Sequence, residues 1–442
     1  DVARINASFA DHAELKRVSS DIRNISKDIA LMMDTKGHKI RISDFKKSIQ
    51  LKKGQKFSVF CNKVSKGVYL VTDANFGLET QIPKDTILLV DDGLIQLKVR
   101  QVKPDVSGVE LVCEVIQGGE LKRSKTVNIP GVHLDFPELA KKDYEDIMYA
   151  KKLKFDFIAA SFVRNTDDIR AIRKLVDGSN TKIIAKIEDA EGAANFDGIL
   201  KEVDGIMIAR GDLGIEMPTE KVPVLQKKFI EKCNAVGKPV IVATQMLQSM
   251  IENIFPTRAE VSDVANAIFD GTDAVMLSAE TCTGKFPVET VGTMAKIAKE
   301  VELSVDPVEM KPTTLAKPTT NAIARAVIDS CQSLPIDKIL VATASGTTAI
   351  TISRFRPKQP IYAFTQGGAS KRKLALTRGI IPSTLQKSAS ARDKGVQSLV
   401  RTAKDQGFVS DSDLVVVVAG SNIMGQGQTN LMEINRVEHI VH

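Results

Sequence analysis

Lys186–Ile187–Glu188 places an ammonium and a carboxylate two residues apart. On a strand, side chains alternate with period two, so both groups would point to the same side. Twenty-four residues after Lys186 comes Arg210–Gly211–Asp212–Leu213–Gly214. A Glu and an Asp from neighbouring strand ends can hold one Mg2+ through a few oxygens and leave positions open for a substrate. Gly211 would let the backbone approach closely, and N–H groups at a helix start favour an anion. A lysine, a divalent cation and a helix start converging on one point suit phosphate or enolate charge.

These clusters need rigid elements beneath them, and the surrounding sequence supplies a repeated one. Short apolar runs end abruptly in polar residues: Val2–Ile5 before Asn6, Ile29–Met33 before Asp34, Phe157–Ala160 before Ser161, Ile183–Ala185 before Lys186. Gly205–Ala209 before Arg210, Val240–Ala243 before Thr244 and Ala274–Leu277 before Ser278 complete the set. Helical patterns stand between them, one opened by the capping box Thr257–Arg258–Ala259–Glu260. Continuous apolar strands alternating with helices mean a parallel sheet buried on both faces. Polar residues collected at the strand C-termini are where a (β/α)8 barrel builds its site. Only seven such units are legible, so the expectation is that a first βα unit is missing from this sequence.

Between about residues 42 and 130 the pattern changes to β-branched alternation, as in Lys56–Cys61, Leu94–Val102 and Gly108–Val115, with a turn at Asp91–Asp92–Gly93. This reads as a small inserted β domain. Lys311–Lys317 is rich in Pro and Thr and reads as a linker. A second α/β pattern follows, with strands at Lys338–Ala342, Ile361–Thr365 and Leu414–Ala419. The expected architecture is α/β overall. A barrel spans 1–41 and 131–302, a β lid 42–130, and a C-terminal three-layer α/β domain 303–442.

Composition removes several function classes. The chain has 442 residues, and 61 basic against 54 acidic side chains give a mild +7 with no basic arm. With no Trp and 4 Tyr, stacking on nucleic acid is a poor expectation. The longest apolar runs fall well short of the ~18 residues of a membrane span. Cys61, Cys113, Cys233, Cys282 and Cys331 are scattered, which suits reduced thiols. The residues after Asp1 lack the pattern of a secretory leader, so a cytoplasmic place is expected. His residues are few and scattered, so a histidine base is not expected.

The strand-end motifs resemble those of the pyruvate kinase family. Lys186–Ile187–Glu188, Ala209–Arg210–Gly211–Asp212–Leu213–Gly214 and Ala243–Thr244–Gln245–Met246–Leu247 match in order. Asp34–Thr35–Lys36–Gly37, Val127–Asn128–Ile129–Pro130–Gly131, Pro256–Thr257–Arg258–Ala259–Glu260 and Met276–Leu277–Ser278–Ala279–Glu280–Thr281 match as well. The resemblance implies phosphoryl transfer from phosphoenolpyruvate to ADP, giving pyruvate and ATP in glycolysis. It implies that Glu188 and Asp212 hold Mg2+ (or Mn2+), and that Lys186 and Arg4 meet the phosphoryl group. It puts Arg41 near the nucleotide, and Gly211–Asp212, Ser161 and Phe162 at the substrate. Thr244 would sit where the enolate carbon is protonated, with Ser278 and Glu280 in the proton relay. The inserted domain would close as a lid, with Asp92 as its candidate residue. Phosphoryl transfer rests mainly on positioning and charge stabilisation, which such a collection of cations supplies.

Asn6, Ser8, Asp34 and Thr35 match the family's K+ ligands, but His38–Lys39 stand where the common pattern has Pro–Glu. Lys39 resembles members that do not need K+, since a fixed ammonium supplies the charge a glutamate site must recruit. K+ is therefore expected to be dispensable. Phe9–Ala10 replace the usual His–Gly, which would alter nucleotide affinity. In the last domain, Thr343–Ala344–Ser345–Gly346–Thr347–Thr348 forms a turn of small hydroxyl residues. Thr343, Ser345, Gly346, Thr347 and Thr348 are the expected holders of a sugar-phosphate or nucleotide effector, faced by a loop with Gly425 and Gly427. The family suggests a homotetramer. Two other functions fit part of the pattern: a Mg2+-enolate aldolase or lyase barrel, and a catalytically incompetent binding protein of the same fold.

Overall fold

A computed structural model of the chain describes residues 1–61, 63, 67–72, 78, 81–105, 108–308, 318–385, 392–420 and 429–441. The linker at Lys311–Lys317 and the loop with Gly425 and Gly427 lie outside the described residues. Seven parallel strands form one sheet in chain order: Val2–Asn6, Ala30–Asp34, Phe157–Ala160, Lys182–Ile187, Gly205–Ala209, Val240–Ala243 and Ala274–Val275. Among the described residues no pairing joins Val2–Asn6 to Ala274–Val275, so the sheet is an open barrel wall.

Strand parity divides this sheet into two cores. Leu31, Met33, Ile183, Ala185, Ile206, Ile208, Val240 and Val242 pack outward with the helices. Ala30, Met32, Phe157, Ala159, Ile184, Met207, Ile241 and Ala243 pack together on the inner side. Both sets are buried, which is why the strands read as continuous apolar runs. The inner set continues by twos to Asp34, Ser161, Lys186 and Glu188, so the barrel interior and the polar strand ends lie on one side of the sheet.

The floor of this interior is filled from the last domain. Leu376, 3% exposed, joins the inner core. Around it, Arg372 Nε donates to Asp156 at 2.9 and 3.0 Å, and Arg356 Nη1 donates to Asp273 at 3.0 Å. Asp156 and Asp273 immediately precede barrel strands and also accept backbone N–H from Leu31 and Val240. These strand-start carboxylates serve stability, while chemistry is left to the opposite end.

The inserted domain is a closed barrel of seven strands: Thr126–Asn128, Ile40–Ile42, Val68–Val71, Lys56–Phe60, Gly108–Gln117, Ile95–Asp105 and Ile87–Val90, in that neighbour order. Its first strand starts at Ile40, so Arg41 pairs with lid residues Val71 and Thr126. Its core includes Leu88, Leu97, Val99, Leu111 and Val115, alternate residues of the paired strands. Asp91 and Asp92 both have positive φ, 53° and 54°, in the tight turn before Ile95.

The last domain has a five-stranded sheet ordered Ile380–Thr384, Ile361–Thr365, Lys338–Ala342, Leu414–Gly420, Thr429–Arg436. The first four strands are parallel and the fifth is antiparallel. Separate apolar clusters cover its two faces, giving three layers.

Candidate active site

Lys186 Nζ lies at the centre of the strand ends, 2.9 Å from Asp34 Oδ1, 2.8 Å from Ser161 Oγ and 3.1 Å from Glu188 Oε1. Arg4 Nε donates to Asp34 Oδ2 at 2.6 Å. Burial alone would raise Asp34, but Lys186 and Arg4 outweigh it and hold its carboxyl below the usual range. Lys186 is raised: burial pulls it down, and Asp34 and Glu188 more than compensate. The ammonium is therefore a fixed charge rather than a base.

Glu188 is 1% exposed. Its Oε2 accepts the Phe162 N–H at 2.6 Å, while Oε1 faces Lys186. Burial raises its proton affinity against Lys186, and Asp212 and Asp34 push the same way as burial. A buried carboxylate with two others nearby suits a divalent cation, whose charge would relieve that repulsion. Asp212, in the first turn of the helix Arg210–Glu216, borders the same chamber. Among the described residues no group of three or more His, Cys, Asp or Glu has metal-holding geometry. A cation held by Glu188 and Asp212 alone would keep coordination positions for other oxygens.

The chamber has a volume of about 110 Å³. Arg4, Asn6, Ser8, Asp34, Thr35, Lys39, Ser161, Lys186, Glu188, Asp212 and Thr244 all border it, so one chamber gathers most of the barrel residues singled out from sequence. A second cavity of about 450 Å³ opens beside it between the lid and the barrel, with Lys39 and Asp212 bordering both. Lys39 Nζ stands 5.2 Å above the centre of the Phe162 ring. It is also one of the charges that lower Glu188.

Backbone strain collects here. Phe162, Thr244 and Gln245 have φ of 52°, 70° and 56°. A β-branched residue in the left-handed region is a true outlier, costing about 1–3 kcal/mol. The strain is over-determined by neighbours: Thr244 Oγ1 accepts the Gly211 N–H at 2.7 Å, and Arg210 Nη2 donates to the Thr244 carbonyl at 3.0 Å. Arg210 is itself fixed by Asp263 through two bonds of 2.7 Å. A substrate carboxylate at Gly211–Asp212 must therefore displace Thr244 from the Gly211 N–H or use another donor.

Several expected residues stand apart from the chamber. Glu280 is 1% exposed and spends its carboxylate on the N–H of Ser278 at 2.7 Å and of Leu247 at 3.4 Å. That use shapes the loop, and neither Ser278 nor Glu280 borders the cavity. Arg41 Nη1 donates to the Ser124 carbonyl within the lid, at 2.9 Å. Asp92 is exposed and accepts from Thr126, which lines the larger cavity, so Asp92 reaches the cleft only through that neighbour.

In the last domain, Thr343 Oγ1 accepts the Gly346 N–H at 3.0 Å, and the Thr348 and Thr429 hydroxyls are 2.6 Å apart. Ser345 and Thr347 hydroxyls, 2.9 Å apart, are the pair left toward solvent. Gly346 has φ of 88°, and a Cβ there would lie 2.6 Å from Leu374, so only glycine fits this turn.

The family profile described as "Pyruvate kinase, barrel domain" matches residues 1–291. The chain belongs to the pyruvate kinase family. A second profile, "Pyruvate kinase, alpha/beta domain", matches residues 321–435. A pyruvate kinase of Clostridium acetobutylicum is 40% identical over 99% of this chain and 94% of its own length. One from Geobacillus stearothermophilus is 42% identical over 100% of this chain and 76% of its own length, and one from Staphylococcus aureus is 41% identical over 99% and 76%. The family is one of phosphotransferases, and its two profiles describe a barrel domain and an α/β domain. Among the described residues no helix is long and apolar enough to cross a membrane.

One group that sequence reasoning missed is Asp143. It is 3% exposed and accepts the N–H of both Lys36 and Gly37 at 2.9 Å. Nothing in Lys141–Lys142–Asp143–Tyr144 distinguishes it from an ordinary acid in a helix's first turn, so no sequence signal pointed to it.

Proposed function

We propose that the chain transfers the phosphoryl group of phosphoenolpyruvate to ADP, giving pyruvate and ATP. The observation that carries this reading is one buried ammonium, Lys186, within 3.1 Å of both Asp34 and Glu188 at the mouth of a parallel barrel. The P–O bond to the enol oxygen breaks, a bond forms to the β-phosphate of ADP, and the enolate carbon takes up a proton.

Lys186 and Arg4 face the chamber with fixed positive charge, which stabilises the phosphoryl group in transit and the enolate oxygen it leaves. Their tie to Asp34 holds both cations in place before the substrate arrives, so little reorganisation is needed. Glu188 and Asp212 would hold the divalent cation, Mg2+ or Mn2+. When bound, that cation would supply further positive charge to the phosphate and carboxylate oxygens. Thr244 would border the substrate on the side where a proton is delivered; its hydroxyl is oriented by the Gly211 N–H and the Ala243 carbonyl. The lid, joined to the barrel through Ile40–Ile42 and Thr126–Asn128, would exclude water that otherwise takes the phosphate.

Lys39 supports activity without K+: its ammonium borders the chamber of Asn6, Ser8, Asp34 and Thr35 and acts on Glu188. The hydroxyl turn at Ser345–Thr347 is the place for a sugar-phosphate or nucleotide effector. The working form would be a cytoplasmic homotetramer. A lactate-dehydrogenase-coupled assay with phosphoenolpyruvate, ADP and Mg2+ tests the reading. ADP-dependent pyruvate formation supports it; phosphoenolpyruvate binding without turnover overturns it.

A further inference from the structure

The helix Lys141–Lys152 follows the return of the chain from the lid. An acid in a first turn ordinarily sits in solvent and complements the helix dipole. Asp143 instead is buried and spends both oxygens on a different segment: Oδ1 on Lys36 N–H and Oδ2 on Gly37 N–H, each at 2.9 Å. Two successive backbone donors on one carboxylate fix the direction of the loop leaving Asp34–Thr35.

That loop is seated tightly. Gly37 has φ of 68°, and a Cβ there would lie 2.8 Å from Phe162 Cδ2 and 2.9 Å from Ser161 Cβ. Ser161 and Phe162 are the residues that touch Lys186 and Glu188. Two residues beyond Gly37, Lys39 rests over the Phe162 ring and borders both cavities. The same helix turn also holds the first strand's loop, since Lys142 Nζ donates to the Ala7 carbonyl at 2.8 Å and to Asp146 at 2.6 Å.

We infer that Asp143 is a positioning residue for the reaction: its carboxylate, gripping the Lys36 and Gly37 N–H groups, sets where the Lys39 ammonium stands in the active chamber. A carboxylate accepts with two oxygens, an asparagine side chain with one, so Asp143→Asn releases one of the two grips and turns an NH2 toward a donor. The inference rests on the reading of Lys39 as an active-site charge, and the test separates the two.

The experiment measures kcat/KM for phosphoenolpyruvate in the full chain and in Asp143→Asn, Lys39→Met and the double variant. Folded fraction is followed by circular dichroism and Mn2+ affinity by paramagnetic resonance. Asp143→Asn is expected to lower kcat/KM by about tenfold to a hundredfold, as for a misplacement of about 1 Å, with Mn2+ affinity unchanged. In the Lys39→Met background the same substitution is expected to cost less than about threefold. Should Asp143→Asn fold poorly, Asp143→Glu keeps the charge and two acceptors and is expected to show a smaller loss with the same non-additivity. An equal loss in both backgrounds, no loss at all, or a loss that follows the folded fraction overturns the inference. Lys39→Met without effect on its own identifies failure of the Lys39 reading instead.

Discussion

Lys186 Nζ and Asp34 Oδ1 are 2.9 Å apart although 152 residues separate them in sequence. The strand Phe157–Ala160 lies between theirs in the sheet, so the contact passes over a neighbour whose next inward residue is Ser161. Ser161 fills that gap with a hydroxyl that accepts from Lys186 and donates to the Thr35 carbonyl. A lysine on one strand is thus held by the end of another, and Arg4 holds the same aspartate from the far side. The pair keeps a positive charge desolvated and aimed, which is what transfer of a dense anion requires.

Glu216 gives a pH-dependent stability. Burial pushes its carboxyl up to about 7, with Asn128 pulling the other way through a 2.7 Å hydrogen bond. The folded value lies above the unfolded one of ~4.3, so folding favours the protonated form. Its contribution is full below about pH 4.3 and is lost as pH rises through about 7. Glu216→Gln has no such loss. Thermal melting should show the variant gaining on the parent between those limits, by about 2 kcal/mol above pH 7 after allowance for partial exposure. A difference independent of pH would refute this account of Glu216.

Divalent-metal affinity should fall as the solution becomes more acid. Burial and the neighbouring carboxylates raise the proton affinity of Glu188, and a proton competes with the metal for the same oxygens. Titration with Mn2+ across pH 5.5–8.5 is expected to show weaker binding at each acid step. In Glu188→Gln the affinity should be low and the pH dependence reduced. Equal affinity at all pH values would remove Glu188 from the metal set.

Monovalent-cation dependence should be absent in the parent and acquired by one substitution. Lys39 supplies the local charge, so replacing tetramethylammonium with K+ at constant ionic strength should change kcat less than about twofold. Lys39→Glu reverses that charge and should make K+ raise the rate by about tenfold or more. Strong K+ activation of the unaltered chain would contradict the argument.

Leu376 ties the last domain to the barrel floor. It is 3% exposed within the inner core, so truncation removes buried apolar contact and opens a cavity there. Leu376→Ala should lower stability by about 2–5 kcal/mol, read as a shift of the denaturation midpoint. If the midpoint is unchanged, Leu376 does not seal the barrel floor.

The sheet was legible in the sequence because both its faces are buried. Every inner strand is a short apolar run, and its parity continues into Asp34, Ser161, Lys186 and Glu188. The capping box at Thr257–Glu260 likewise announced its helix, and both reciprocal bonds form. What stayed hidden depends on contacts distant in sequence. Asp143 looks like a surface acid until the fold brings the Lys36–Gly37 backbone onto it. That the Glu280 carboxylate accepts the Ser278 and Leu247 N–H groups is likewise not legible in Met276–Thr281. Leu376 carries no sign that it enters a different domain's core. The short strands Ile49–Leu51 and Gly119–Leu121 escaped notice because three residues give too little alternation, and Ile380–Thr384 because Pro382 interrupts its apolar run.

The most direct test follows the phosphoryl group itself. Phosphorus resonance of a mixture of phosphoenolpyruvate, ADP and Mg2+ should show the phosphoenolpyruvate signal replaced by the γ-phosphate of ATP when the unaltered chain is added. With Lys186→Met, folded and still binding Mn2+, that conversion should slow by about a thousandfold or more. Phosphate released to water instead of ATP, or transfer at an undiminished rate in Lys186→Met, would contradict the central claim.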